Sequence, residues 1–551
     1  MIIRTQPIMP KPILLLLLAV ITAAAAYHHH PPTVTIDSGP LFGLATTLPG
    51  AATKPVNKFL GIPYAAKPDR FRPSKRPQTW TEPRNATAFR PSCIQYISNG
   101  EVAPSPELVS DVFNNHQPES EDCLFINAFS PARTGGHRPV VVFIPGGAWQ
   151  MSNGNFDLSA FSAYEDVVAF TFNYRTNIFG FPITDDIPLR QRNLGVMDQQ
   201  LALAWVQANA RAFGGDPEKV TIWGESAGAM AVDLHLHSYA DSAKNRPPFR
   251  AAILSSGQMS FGLLAFTPPV NDTQGWRRLA SVVGCRDSAD QLECMRRVPA
   301  ADLVANMERA NFTPYPVSDG ETVTYARAAA WRRGKVARVP LLMSTMAEEG
   351  RALLRRNVSI EAFRQAWMPE TIISREKAGG IVAAYRRMPG VRNDFDVASA
   401  IYTDWVWQCP QQMLANASAS LGTAPVWRAY IDASVTELLP PRYRYLGKFH
   451  GTDLILLFYV SALYGSGQGV SSQLYAAASY LRAVIGSFVR NPRAGPGWPA
   501  VGSSSAPRDV AVVGGRNSSK SAVMVDRNVL DANCGIFSDF LAASEKASDV
   551  Y

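Results

Sequence analysis

The chain has 551 residues, 46% of them hydrophobic and 18% charged, with 39 glycines and 41 prolines in no repeating period. That balance excludes intrinsic disorder and collagen, and at about 150 residues per domain it leaves room for several domains or one heavily inserted α/β unit. The net charge of +8 comes from scattered lysines and arginines with no run of five or more, which speaks against a nucleic-acid partner.

Arg4 and Lys11 precede an apolar run from Ile13 to Val20 that ends in Ala23-Ala24-Ala25-Ala26. A charged start, a short apolar stretch and small residues at its end predict a secretory signal over residues 1–26, the run being shorter than the ~20 residues a bilayer requires. No later run is apolar and long enough to span, and the stretch Ala542 to Tyr551 is polar, so a secreted, extracellular chain without stable membrane insertion is expected. His28, His29 and His30 read as a solvated tail rather than a metal site.

Beyond the leader, short β-branched or aromatic runs alternate with helical patterns. Val140 to Ile144, Val167 to Phe172, Val220 to Trp223, Ala252 to Leu254, Leu341 to Met343 and Val426 to Ile431 predict buried strands. Asp198 to Phe213 carries Leu201, Trp205, Ala208 and Phe213 near helical spacing. The alternation predicts an α/β fold: a mostly parallel central sheet with helices on both faces. Residues 258–338 and 346–424 read as large insertions, and with no repeat or composition break a single domain over 27–551 is expected. The Gly/Ser-rich piece Gly495 to Ser521 reads as surface loop.

The six cysteines lack the CxxC-like spacings that zinc requires, and in an oxidising compartment they favour disulfides. Short-range closure pairs Cys93 with Cys123 and Cys285 with Cys294, which leaves Cys409 with Cys534; each bridge would contribute about 3 to 5 kcal/mol in the chain-entropy model. Glycosylation sequons occur at Asn85, Asn271, Asn311, Asn357, Asn416 and Asn517, with Pro314 weakening the one at Asn311.

Gly224-Glu225-Ser226-Ala227-Gly228 carries the chemistry. The strand-like Val220-Thr221-Ile222-Trp223 runs into it, and Ala227 to Val232 can continue as a helix, an arrangement that lifts the Ser226 hydroxyl out of a sheet on a turn too sharp for a Cβ at the flanking glycines. A serine nucleophile needs a base. With the chain order nucleophile, acid, histidine, His450 is the practical candidate, because His235 and His237 follow Ser226 too closely; two apart on a helix, they read as structural or surface residues. The loop after Leu341 to Thr345 offers Glu348 and Glu349 as the acid, and on position alone Asp319, Asp404 and Asp453 stay open. Pro145-Gly146-Gly147-Ala148 follows another strand, so the N–H groups of Gly147 and Ala148, with that of Ala227, are candidates for an oxyanion hole.

Taken together, these residues resemble the type-B carboxylesterase and cholinesterase family of α/β-hydrolases. The resemblance rests on Phe213-Gly214-Gly215-Asp216-Pro217 through Gly228, on Glu121-Asp122-Cys123-Leu124-Phe125-Ile126-Asn127, and on runs from Phe59-Leu60-Gly61-Ile62-Pro63 to the region of Cys534. It implies an α/β-hydrolase fold, a Ser226, Glu349, His450 triad, the glutamate directly before glycine being the family's acid, and the same three disulfides. It implies a small-molecule ester as substrate and neither metal nor organic cofactor.

Departures from the pattern bear on substrate. Phe113 stands where choline-hydrolysing members have tryptophan, Pro145 where many relatives have His or Tyr, and Ala148 replaces a third glycine. Residues 94–122 are rich in Asn, Asp, Glu and Gln where lipase-like members carry an apolar lid. Short or medium, water-dispersed esters are therefore expected. An extracellular lipase or sterol esterase, a tailoring esterase of a secreted natural product and a non-catalytic adhesion or binding member are the alternatives.

Overall fold

The computed structural model describes residues 31–542 apart from 50–53, 101–102, 115, 134, 152, 241–245, 268, 270–271, 462–468, 504–507 and 516–521. The predicted signal, His28 to His30 and the sequons at Asn271 and Asn517 lie outside the described residues.

Among the described residues, the strands in chain order are β1 Thr33–Ile36, β2 Gly39–Phe42, β3 Leu44–Thr46, β4 Val56–Pro63, β5 Arg84–Asn85, β6 Phe125–Pro131, β7 Arg138–Ile144, β8 Val168–Phe172, β9 Gly215–Glu225, β10 Ala251–Ser255, β11 Leu341–Met346, β12 Val426–Ile431, β13 Arg508–Val513 and β14 Ala522–Asp526. Eleven of them form one sheet in the order β14-β13-β12-β11-β10-β9-β7-β8-β6-β4-β3, and β1, β2 and β5 form a small second sheet. The block from β8 to β13 is parallel throughout. Antiparallel strands flank it on both sides: β6, β4 and β3 at one edge, β14 at the other.

Strand β7 shows why the core strands are apolar without alternation. Val140, Val142 and Ile144 point into one hydrophobic cluster with Leu234 of helix Ala227–Ser238 and Leu203 of helix Leu194–Asn209. Val141 and Phe143 point into another with Ile485 of helix Ser472–Arg490 and Phe161 of helix Ser159–Glu165. Both faces of the sheet are thus covered, so both sets of side chains must be apolar.

All six predicted strands are present, within a few residues of their expected bounds except β9, which begins earlier at Gly215. The predicted helix begins earlier, at Leu194, and its last turn, Ala210–Phe213, is 3₁₀. One reading is corrected: Gly495 to Ser521 is not wholly surface loop, because its Arg508–Val513 is β13, mostly buried and paired in parallel with β12. The glycines and serines around it hid the short apolar run Val510 to Val513, of which Val510, Ala511 and Val513 enter the core.

The cysteines pair as Cys93–Cys123, Cys285–Cys294 and Cys409–Cys534. Asn85, Asn311, Asn357 and Asn416 are exposed. Among the described residues no helix is long and apolar enough to cross a membrane, and no group of metal-ligating side chains is found.

Candidate active site

Ser226 sits at the carboxyl end of β9 and immediately before helix Ala227–Ser238, with φ 57° and ψ −126°. That backbone costs a non-glycine residue of order 1–3 kcal/mol and is held by its surroundings. Its N–H donates to the Ser255 carbonyl at 2.9 Å, and its carbonyl accepts from Met230 N–H at 3.0 Å. The flanking glycines are there for space: a Cβ on Gly224 would strike the Gly228 carbonyl, and one on Gly228 would strike the Ile144 carbonyl of β7.

The turn after β7 packs directly on this elbow, since a Cβ on Gly146 would run into the Glu225 carbonyl and the Ser226 Cβ. Gly147, Ala148 and Trp149 then take φ of 98°, 53° and 64° in succession. The turn is pinned because the Gly147 carbonyl accepts from the N–H groups of Gln150 at 2.9 Å and Met151 at 3.0 Å. Ala227 opens its helix, so its N–H has no intrahelical acceptor. The three N–H groups expected from sequence therefore lie on two loops in contact at Ser226.

His450 is buried, in the loop beyond the 3₁₀ turn Pro441–Leu446 rather than directly after β12. Its Nδ1–H donates to Glu349 Oε2 at 2.6 Å. The other Glu349 oxygen accepts from Met346 N–H, the last residue of β11, at 2.7 Å, so strand and carboxylate orient the imidazole together. Glu348 binds backbone instead. Its carboxylate accepts from Lys448 N–H at 2.8 Å, and its own N–H donates to the Lys448 carbonyl at 3.1 Å, which ties down the loop that carries His450. Of the open alternatives, Asp319 caps the turn at Glu321 to Val323 and binds Asn193, while Asp404 accepts from Tyr385 and Asn533; neither bonds to His450. His235 and His237 are buried, bonded to Gln199 at 3.0 Å and Ser260 at 2.9 Å, so they are structural and not surface residues.

Two groups around His450 were not singled out by sequence. Glu225 Oε1 is 3.3 Å from His450 Nε2, both side chains being almost wholly buried. Adjacency to Ser226 in the motif was the available signal for Glu225. The Trp407 ring lies 4.6 Å, centroid to centroid, from the His450 ring. Forty-odd residues separate the two in sequence, and no local pattern joins them.

The electrostatics follow from this crowding. Burial alone would lower the His450 pKa, but the Glu225 and Glu349 carboxylates outweigh it and push it up to about 9. Burial raises Glu225, with His450 opposing and Asp453 and Glu349 adding to the rise. Burial raises Asp453 as well, followed by the charge of Glu349. The centre thus holds three carboxyl groups around one imidazole, and its proton count is shared among them.

Phe113 ends the π-helical turn Val109–Phe113, half-buried, with its ring 6.2 Å from that of Phe449 beside His450. The loop closed by Cys93–Cys123 therefore borders the centre. A cavity of about 400 Å³ between that loop and the segment after Glu349 is lined by Leu108, Leu354, Arg355, Arg356 and Tyr445. A second, of about 650 Å³ and lined by Arg246, Phe249, Arg250 and Arg338, opens at the amino ends of β10 and β11, at the other end of the strands from Ser226.

A large parallel-centred sheet with a strand–serine–helix elbow defines the α/β-hydrolase class. Within it the chain belongs to the carboxylesterase family, whose model matches residues 30–499. Carboxylesterase 5A of Felis catus is 41% identical over 286 residues, 50% of this chain and 50% of its own length; the Canis lupus familiaris protein is 39% identical over 277 residues, 48% and 46%. Neuroligin-2 of Homo sapiens is 33% identical over 347 residues, 57% of this chain and 41% of its own length. The chain thus spans about half the length, or less, of these curated relatives.

Proposed function

We propose that the chain is a secreted serine carboxylic-ester hydrolase, a single α/β-hydrolase domain working through an acyl-enzyme on Ser226. The observation that carries this reading is the buried Glu349–His450 hydrogen bond of 2.6 Å in a loop beside the Ser226 elbow. His450 Nε2 takes the Ser226 proton as Oγ attacks the ester carbonyl, and Glu349 stabilises the imidazolium. The negative oxygen is received by the N–H groups of Gly147, Ala148 and Ala227, each worth about 3 kcal/mol in such a site. His450 then protonates the departing alcohol, and water cleaves the acyl-enzyme by the same route. These steps need no metal or organic cofactor.

The family membership and the carboxylesterase 5A relatives support ester hydrolysis. The three disulfides fit an oxidising compartment, in keeping with the secretory signal expected over residues 1–26. The neuroligin matches favour a second reading, a binding protein without catalysis. A serine on a strained elbow beside a bonded acid–histidine pair is what acyl transfer requires and a binding surface does not, which is why the hydrolase is preferred. Short or medium water-dispersed acyl esters fit the polar Cys93–Cys123 loop, and Phe113 offers a cation a weaker face than tryptophan would.

Hydrolysis of a chain-length series of p-nitrophenyl esters by the wild type and by Ser226→Ala tests the proposal. The substitution is expected to lower kcat/KM at least about a thousandfold with an unchanged circular-dichroism spectrum. Comparable turnover by the variant would contradict it.

A further inference from the structure

Trp407 lies in the π-helical turn Thr403–Gln408, between helix Asp394–Tyr402 and helix Cys409–Ser420. Such turns displace a side chain from the helical register and recur at functional sites. Here the turn sets the indole against His450 at 4.6 Å. Trp407 is 5% exposed, and its Nε1–H is buried without a hydrogen-bond partner. Other indoles of the molecule do have acceptors: Trp223 donates to Ser255, Trp331 to Asp233, and Trp427 to the Trp498 carbonyl. Trp205, Trp367 and Trp498 share the unpaired state, but of these four only Trp407 is in ring contact with His450.

Leaving a buried donor unpaired is unfavourable, a penalty that an incoming acceptor would remove. An unpaired N–H carried on a ring that packs against the base of the reaction is close enough to the centre to meet a substrate bound there. We propose that Trp407 is a specificity-determining residue, whose indole N–H donates to an acceptor oxygen that the substrate carries close to its scissile ester. The preferred substrates are then esters with an ether, hydroxyl or carbonyl oxygen a few bonds from the reacting carbonyl, rather than plain alkyl esters. This rests on the catalytic reading above and adds a substrate class to it. The contrast arises because a site with a buried donor accepts a ligand that pairs it and discriminates against an isostere that does not.

Two matched pairs of esters test the inference: p-nitrophenyl methoxyacetate against butyrate for the acyl side, and 2-methoxyethyl against butyl acetate for the alcohol side. Each rate is corrected by the ratio for uncatalysed alkaline hydrolysis of the same pair. Wild type is expected to favour the oxygen-bearing member of at least one pair by about fivefold or more in corrected kcat/KM. Trp407→Phe keeps a ring against His450 but removes the donor, and it is expected to bring that ratio to about one while a serine-directed phosphonate still labels Ser226. A wild-type ratio of one in both pairs, or a preference that survives in Trp407→Phe, would overturn the inference. If Ser226 labels and esters turn over, that failure leaves the catalytic reading standing; if wild type neither labels nor turns over, both fall.

Discussion

Glu348 and Glu349 are neighbours with the same side chain, and the fold gives them different work. Glu349 bonds to His450 Nδ1 and Glu348 to the backbone of Lys448. Glu349→Gln is expected to cost several orders of magnitude in kcat, because an amide can hold the wrong imidazole tautomer. Glu348→Gln keeps a carbonyl oxygen for Lys448 N–H and is expected to cost less than about tenfold; steady-state kinetics of the two variants check the ranking. Position alone left both glutamates open, and the following glycine, Gly350, separated them only through the family resemblance. Glu225 yields a second expectation at this scale. A base must be neutral to accept a proton, and His450 is held up to about 9 by Glu225 and Glu349. The kcat/KM of the free enzyme should therefore rise with pH through an apparent midpoint that belongs to the cluster and lies above the ordinary histidine range. Glu225→Gln removes the carboxylate 3.3 Å from Nε2, so the midpoint should fall by about 1 to 3 pH units. A pH profile already flat at neutrality in wild type would contradict this.

At the scale of elements, glycines in similar company serve opposite ends. Gly224 and Gly228 are forced by backbone contact across the elbow, whereas Gly379 and Gly380 lie on the exposed face of helix Arg375–Arg386 with open space where a Cβ would stand. Gly228→Ala is expected to destabilise by about 3 kcal/mol or more, since a backbone carbonyl must move. Gly380→Ala is expected to stabilise by about 0.5–1 kcal/mol. Thermal unfolding of the two variants against wild type checks both signs. The parallel strands were legible because burial on two faces writes a continuous apolar run, as in Val140 to Ile144. Strand β13 was not, because short apolar runs amid glycine and serine look like loop until a neighbour such as β12 claims them. The edge strands β1 to β3 and β5 are short and partly exposed, so they carry little pattern to read.

At the scale of the whole molecule, the centre is assembled from four distant stretches: the turn after β7, the elbow after β9, the loop after β11 and the loop around His450. All lie at the carboxyl ends of parallel strands or next to them, where open α/β sheets place their sites. Ser226 and His450 were legible as candidates because the elbow motif marks the serine and eight histidines leave one practical base after it, whereas the acid was left among several carboxylates until the family resemblance favoured Glu349. Trp407 was not, since its meeting with His450 depends on a π-helical turn within a long insertion. The Cys409–Cys534 bridge, 125 residues apart in sequence, closes that same region and holds the turn that precedes Cys409. The central claim is that this assembly makes Ser226 a nucleophile. Peptide mapping by mass spectrometry after brief exposure of the native protein to a serine-directed phosphonate tests it most directly. The expected result is a single adduct on the peptide containing Ser226, absent after heat denaturation and absent in Ser226→Ala; a native protein that hydrolyses esters while Ser226 stays unmodified would contradict the account.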